Sequence, residues 1–483
     1  MTPSLILITF LAYTVLLFYV TWLTARKANN RAFFIGNKAS PWFVVAYGMI
    51  GASLSGVTFM SVPGWVGSTH FSYMMVVFGY LIGYFVIATV LLPLYYRLNL
   101  TSIYSYLETR FGFWSYKTGS FYFILSRTIG ASFRMFLVVN VLQVFVFDTW
   151  HIPFSVTVFI FITLILLYTF KGGIKTIIWT DTVQTTFMLL ALVFSVFFII
   201  RSLGTNFTTI ASDVFNSDYS RMIYNDWTDK RFFLKQFLSG IFIAIVMTGL
   251  DQEMMQKNLS CRNLKDAQKN MFSFSAVIVL VNFLFLFLGA ILYIYATRTN
   301  LQLPQRSDDL FPIIAIQHLG PVAGLIFLIG LISAAYPSAD GALTSLTTSF
   351  SIDFLGINKN DKMSEHQKTR LRYMVHVCFA IVLLGVIVLF RAINDRAVID
   401  KLFTIAGYTY GPLLGLYSFG LFTRNRVKDR WVPLIALISP IVCYLLNLYS
   451  ENLFNGYKFG FELLIVNGMI TFAGLFFISK KHE

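Results

Sequence analysis

Between Gly320 and Phe354 runs a segment apolar enough for a membrane helix, yet Pro337, Ser338 and Asp340 stand at its middle. An ionisable side chain at that depth costs roughly 3 kcal/mol on insertion scales, so it marks a functional site by default. Around it, Ala334, Ser338, Gly341, Ser345 and Thr348 form a small or hydroxylated stripe at helical spacing. Such a stripe is either a tight helix-packing face or the wall of an ion path. A second apolar segment carries Ser53, Ser55 and Thr58 among Gly48, Gly51 and Gly56. Hydroxyls at a helix break donate to solute hydroxyls or carboxylates; otherwise they bond to their own backbone as packing residues. A third carries Arg127 and Arg134, which need a cavity or a partner acid if they lie within the membrane. Finally, Gly172-Gly173 predicts a tight turn before Thr180-Asp181, where an isolated acid reads as a helix N-cap favoured by the dipole.

The elements that hold these residues follow from composition. The chain has 483 residues, 57% hydrophobic and only 12% charged, about half the charge density of a soluble domain. Continuous apolar runs long enough to cross a bilayer recur from end to end, about thirteen in all, which predicts an all-α polytopic membrane protein and excludes a β-barrel. The net charge of +15 is topological rather than a nucleic-acid footprint, because alternate loops hold the basic residues. One side takes Arg26, Lys27, Arg31 and Lys38, then Lys171 and Lys175, then Lys257, Arg262, Lys265 and Lys269, and finally Lys480 and Lys481. The positive-inside rule puts the N-terminus outside and the C-terminus in the cytoplasm, in a cell membrane. The first span lacks a basic leader and is expected to stay. Cys261, Cys378 and Cys443 are expected to be free thiols, with no metal or redox spacing.

Two spans are interrupted as the others are not. One reads Gly48 to Thr58; the other ends Met247-Thr-Gly-Leu-Asp251-Gln252, turning polar early. Each opens a block of five spans, the pattern of an inverted-repeat transporter with a midplane site. The expected organisation is a leading helix and loop (1–40), a first five-helix repeat (41–203), an external loop (204–232), a second repeat (233–424) and two trailing helices (425–483).

The run Lys171-Gly-Gly-Ile-Lys-Thr-Ile-Ile-Trp-Thr180-Asp181-Thr-Val-Gln184 resembles the sodium/solute symporter family, whose members share the Gly-Gly turn and the Thr-Asp-x-x-Gln that follows. Ser53 to Pro63 resembles the first repeat's broken helix in the family's bacterial sialic acid transporters, and Tyr104 to Phe111, Ala334 to Asp353 and Gly407 to Gly415 are similar to the family in order and spacing. The resemblance implies a LeuT-type five-plus-five fold with one leading and two trailing helices. It implies a first sodium site at the carbonyls of Gly51, Leu54 and Ala334 and the hydroxyls of positions 337 and 338, of which only Ser338 has one here. Pro337 either frees the carbonyl of Ser333 as a substitute ligand or merely kinks the helix.

A second cation site, carried over in the same way, falls on Asp181, Asp340, Pro337 and Gly341. Two carboxylates there would bind Na⁺ or share a proton, and Asp181→Asn would then lower the sodium stoichiometry. Ser53, Ser55 and Thr58 match substrate-contacting positions, while the family's carboxylate-binding arginine aligns with Gly130. Arg127 and Arg134 lie one turn either side of it; either could hold an anionic solute or pair with an acid elsewhere. The reading is a sodium-coupled symporter, not an enzyme, needing no cofactor beyond Na⁺ and no protein partner. It imports a small polar solute (a sugar, a sialic acid or another carboxylate) by alternating access, in a bacterial inner membrane. The alternatives are a non-transporting solute sensor on the same fold and an H⁺-coupled symporter.

Overall fold

The computed structural model describes residues 2–25, 29–360, 362–393 and 398–480, and the side chains of Lys171 and Ile393 fall outside the description. Arg26, Lys27 and Lys481, counted above among the basic residues, also lie outside the described residues. The spans become helices α1 (Pro3–Thr24), α2 (Trp42–Ser53), α3 (Gly56–Thr69), α4 (Tyr73–Val86), α5 (Phe113–Phe145), α6 (Phe154–Gly172) and α7 (Ile174–Ser202). The second half adds α8 (Phe233–Ala244), α9 (Gln252–Leu259), α10 (Leu264–Arg298), α11 (Pro321–Ser349), α12 (Glu365–Ile393) and α13 (Val398–Phe422). Two more, α14 (Val432–Leu448) and α15 (Leu463–Phe477), trail behind.

By length and apolar composition, eight described helices can cross a membrane, nine if the bent pair Phe233–Gly249 and Gln252–Leu259 is one span. The expected thirteen are reconciled by three facts. The helix run Gly56–Arg97 breaks at His70 (φ 55°, ψ −146°), separating α3 from α4. Trp42–Ser53, Phe154–Phe170 and Leu463–Phe477 are apolar but short, and the hydropathy of α13 is diluted by its Gly, Tyr and Thr residues between Thr404 and Gly415.

Both interrupted spans are broken where the sequence turns polar. Ser55 takes a non-helical φ of 4° between α2 and α3. Asp251 leaves the helix at φ −105° and caps α9 by accepting from the amides of Glu253 and Met254, and the axis bends by 64° there. The sequence reading ended this span at its polar turn; the helix instead resumes for two turns inside the fold. Helix α7 also starts earlier than expected, at Ile174, because Gly173 turns the chain with φ 52° where a Cβ would strike the Phe33 ring. Asp181 is therefore two turns inside α7 and is not an N-cap.

Helix α11 is the central post: every residue from Gly330 to Ser349 is buried, and α2, α5 and α7 pack against it. Its hydroxyls mostly bond back one turn, Ser333 to the Ile329 carbonyl, Thr347 to Leu343 and Thr348 to Thr344, which is how membrane helices satisfy such groups when they pack. Helices α4 and α8 approach closely through Gly79, Gly83 and Gly240; a Cβ on Gly79 would come 3.0 Å from the Gly240 Cα. The loop after α13 and the tail after α15 pair as a two-residue antiparallel ribbon, Arg426–Val427 with Ser479–Lys480.

Candidate functional site

The two breaks face a small cavity of about 70 Å³ within the bundle. All five residues expected to contact solute line it: Ser53, Ser55 and Thr58 from the first break, Arg127 and Arg134 from α5. Thr248 from the π-helical turn after α8, Asn282 from α10 and Tyr80 and Tyr84 from α4 add polar groups. Beyond it lies a vestibule of about 850 Å³, which shares Tyr73 with the cavity. Between the two, Tyr73, Phe403, Phe461 and Trp65 pack as a cluster of tilted rings, with centroids 4.8 Å apart for Phe403 and Phe461 and 5.8 Å for Trp65 and Tyr73.

The two arginines differ in kind. Arg127 is buried and ion-paired to Glu253, with Asp251 at 3.8 Å; Asp251 also accepts a 2.8 Å hydrogen bond from Tyr410. It ties α5 to the half-helix α9 and, through Asp251, to α13. Arg134 is equally buried, yet no hydrogen bond or ion pair among the described residues holds its guanidinium, and its Nε is unpartnered. Gly130 between them leaves room, since a Cβ there would meet only Leu402 at 3.6 Å.

Residues carried over for the first sodium site sit on touching helices, Gly51 and Leu54 at the end of α2, Ala334 and Ser338 on α11. The break at Ser55 ends the helical ladder, so the last carbonyls of α2 lose the donors a continuous helix would supply. The Gly51 amide donates to Thr185 Oγ (3.1 Å), and Thr185 in turn donates to the Asp181 carbonyl (2.7 Å), which fixes α2 against α7. Unlike most of the stripe, the Ser338 hydroxyl is fully buried with no hydrogen-bond partner. A buried orphan oxygen needs an explanation, and a hard cation fits it.

At the second expected site the structure adds what the sequence reading lacked. Asp181 and Asp340 are both fully buried. Asp340 accepts a 2.7 Å hydrogen bond from the Tyr168 hydroxyl, while its Oδ1 is unpartnered. The Lys257 ammonium lies 2.7 Å from Asp181 Oδ2 and 3.4 Å from Glu253 Oε1. The Glu253 carboxylate rests on Gly341, within 3.0 Å of where a Cβ would be. Lys257, placed above among the basic loop residues, is thus a correction: it is 1% exposed, because α9 carries it inside the fold. The sequence reading missed Asp251, Glu253, Lys257, Tyr168 and Tyr410. Glu253 and Lys257 at i,i+4 directly after the polar end of a span were the available signal.

Residues 33–429 match the Sodium:solute symporter family. The sodium/sialic acid symporter SiaT of Proteus mirabilis is 24% identical over 98% of this chain and 96% of its own. NanT of Aliivibrio fischeri, also a sodium/sialic acid symporter, is 24% identical over 92% and 88%. Among solved structures, a substrate-bound, outward-open Na⁺-coupled sialic acid symporter aligns over 99% of both chains with TM-score 0.82 at 18% identity. A closed transporter of the nucleobase-cation-symport-1 family aligns over 92% of both at TM-score 0.55 and 13% identity. The architecture is the LeuT type, and this chain, a multi-pass sodium-coupled solute transporter rather than an enzyme, belongs to the sodium:solute symporter family.

Proposed function

We propose that the protein is a sodium-driven importer of a carboxylate-bearing polar solute, working by alternating access. The observation that carries this is Arg134, a buried guanidinium with no hydrogen bond or ion pair among the described residues, facing a cavity lined by the hydroxyls of the first helix break. Buried charges are ordinarily paired; a free one in a midplane cavity is complementary to an anion. Ser53, Ser55 and Thr58 suit the hydroxyl or amide groups of the same solute, and the sialic acid symporters among the relatives carry such a molecule. Ligand pockets usually hold about 300 Å³ or more, so a sugar-sized solute enters this smaller cavity only when the aromatic cluster or the cytoplasmic half of the walls moves apart. Sodium at Gly51, Leu54, Ala334 and Ser338 would order the first break and so favour the state that binds solute; coupling needs only that ion and solute prefer the same conformation.

Uptake into proteoliposomes under an imposed Na⁺ gradient tests this, with sialic acid, a monocarboxylate and a neutral hexose as probes. Sodium-dependent accumulation of an anionic probe supports the reading. Accumulation of the hexose alone, or binding without accumulation, sinks it. Pro337 supplies a second test. A hydroxyl restored there adds one oxygen ligand, and one hydrogen-bond-scale interaction is about 1 kcal/mol. Pro337→Ser is therefore expected to lower the Na⁺ concentration for half-maximal uptake by roughly fivefold. An unchanged sodium curve would mean that no ligand is missing.

A further inference from the structure

We propose that the Lys257 ammonium is the permanent occupant of the second cation position, so that only the first site takes sodium and one Na⁺ moves per solute. The inference rests on the sodium-symport reading of the first site and goes beyond it. The position expected to hold a second ion is bounded by Asp181 on α7 and by Asp340 and Gly341 on α11. Lys257 enters it from α9, 2.7 Å from Asp181 and 3.4 Å from Glu253, and Glu253 lies directly over Gly341. All four ionisable groups are buried to 1% or less.

An ammonium at hydrogen-bond distance from Asp181 does what a bound monovalent cation would do: it neutralises the carboxylate and bridges α7 to the second broken helix. It also excludes one, because a sodium ion sharing Asp181 would sit against a like charge in a water-poor site. The tether matters. A free ion leaves during the cycle, whereas a lysine stays on α9 and keeps α7 and α9 joined until those helices separate. Asp340 accepts a hydrogen bond from the Tyr168 hydroxyl and completes no ion pair within 4 Å among the described residues.

Equilibrium binding of ²²Na⁺ to the purified full chain, with no solute present, tests the assignment. Wild type is expected to bind one ion per chain. Asp181→Asn is expected to bind the same number, in contrast to the loss that a sodium-filled second site predicts. Lys257→Ala opens the position and is expected to bind one ion more than wild type; Lys257→Gln, closer in shape, guards against a folding failure of the alanine variant. The proposal is overturned if Asp181→Asn loses an ion, or if both Lys257 variants bind as many ions as wild type. Failure of the first site is a separate result: Ser338→Ala would then leave the count unchanged in every background, while the gain on removing Lys257 still appears.

Discussion

Arg134→Ala is expected to weaken binding of an anionic solute by about a hundredfold or more, with the fold and sodium binding intact. Removing one partner of a buried, hydrogen-bonded charge pair costs about 2–5 kcal/mol, and 2.7 kcal/mol is already a factor of a hundred. The fold should not suffer, because Arg134 makes no ion pair among the described residues that its removal could orphan. Deleting a buried guanidinium that makes no direct ion pair among the described residues removes a desolvation cost, so stability should hold or rise. Arg134→Lys is expected to retain the charge but lose the planar fork, leaving roughly a tenfold deficit. The measurement is the KM for sialic acid uptake in proteoliposomes beside the melting temperature of each variant. An unchanged KM with normal uptake would show that Arg134 does not meet the solute.

The contrast between the two arginines shows where sequence reading stops. Their spacing on one face of α5 was legible, and so was the cavity-or-acid alternative for each. What decides between them lies on another helix: Glu253 is 126 positions from Arg127 in the chain and becomes its partner only because the second broken helix resumes at Gln252. Lys257 failed for the same reason. Charge counting treats a lysine just past an apolar run as interfacial, and nothing local reveals a buried carboxylate at Asp181 waiting for it. The breaks themselves were legible, since Gly, Ser and Asp inside apolar runs disfavour a continuous helix. Ser53, Ser55 and Thr58 came from family resemblance and Arg127 and Arg134 from the need of intramembrane arginines for a cavity or a partner acid; all five line one cavity. Of the hydroxyls in the stripe on α11, Ser345 and Thr348 are satisfied within the helix, while Ser338 has no hydrogen-bond partner among the described residues.

Arg127 should behave in the opposite way to Arg134. Arg127→Met leaves the carboxylates of Glu253 and Asp251 buried without their guanidinium, and breaking a buried pair costs about 3–5 kcal/mol. In a chain of this size that amounts to a fall of about 5 °C in melting temperature. Lys257 compensates only in part, since its ammonium sits closer to Asp181, at 2.7 Å, than to Glu253, at 3.4 Å. Asp251 keeps some support from the Tyr410 hydroxyl and from the amides of its own half-helix, so most of the damage should come from Glu253. The double variant Arg127→Met/Glu253→Gln is therefore expected to recover at least half of the lost stability, because removing both members of a buried pair is far less costly than removing one. A residue that served only the solute would show no such rescue: Glu253→Gln would add its own loss to that of Arg127→Met. Additive losses in that cycle would show that Arg127 does not depend on Glu253, and would return it to the solute side of the cavity beside Arg134.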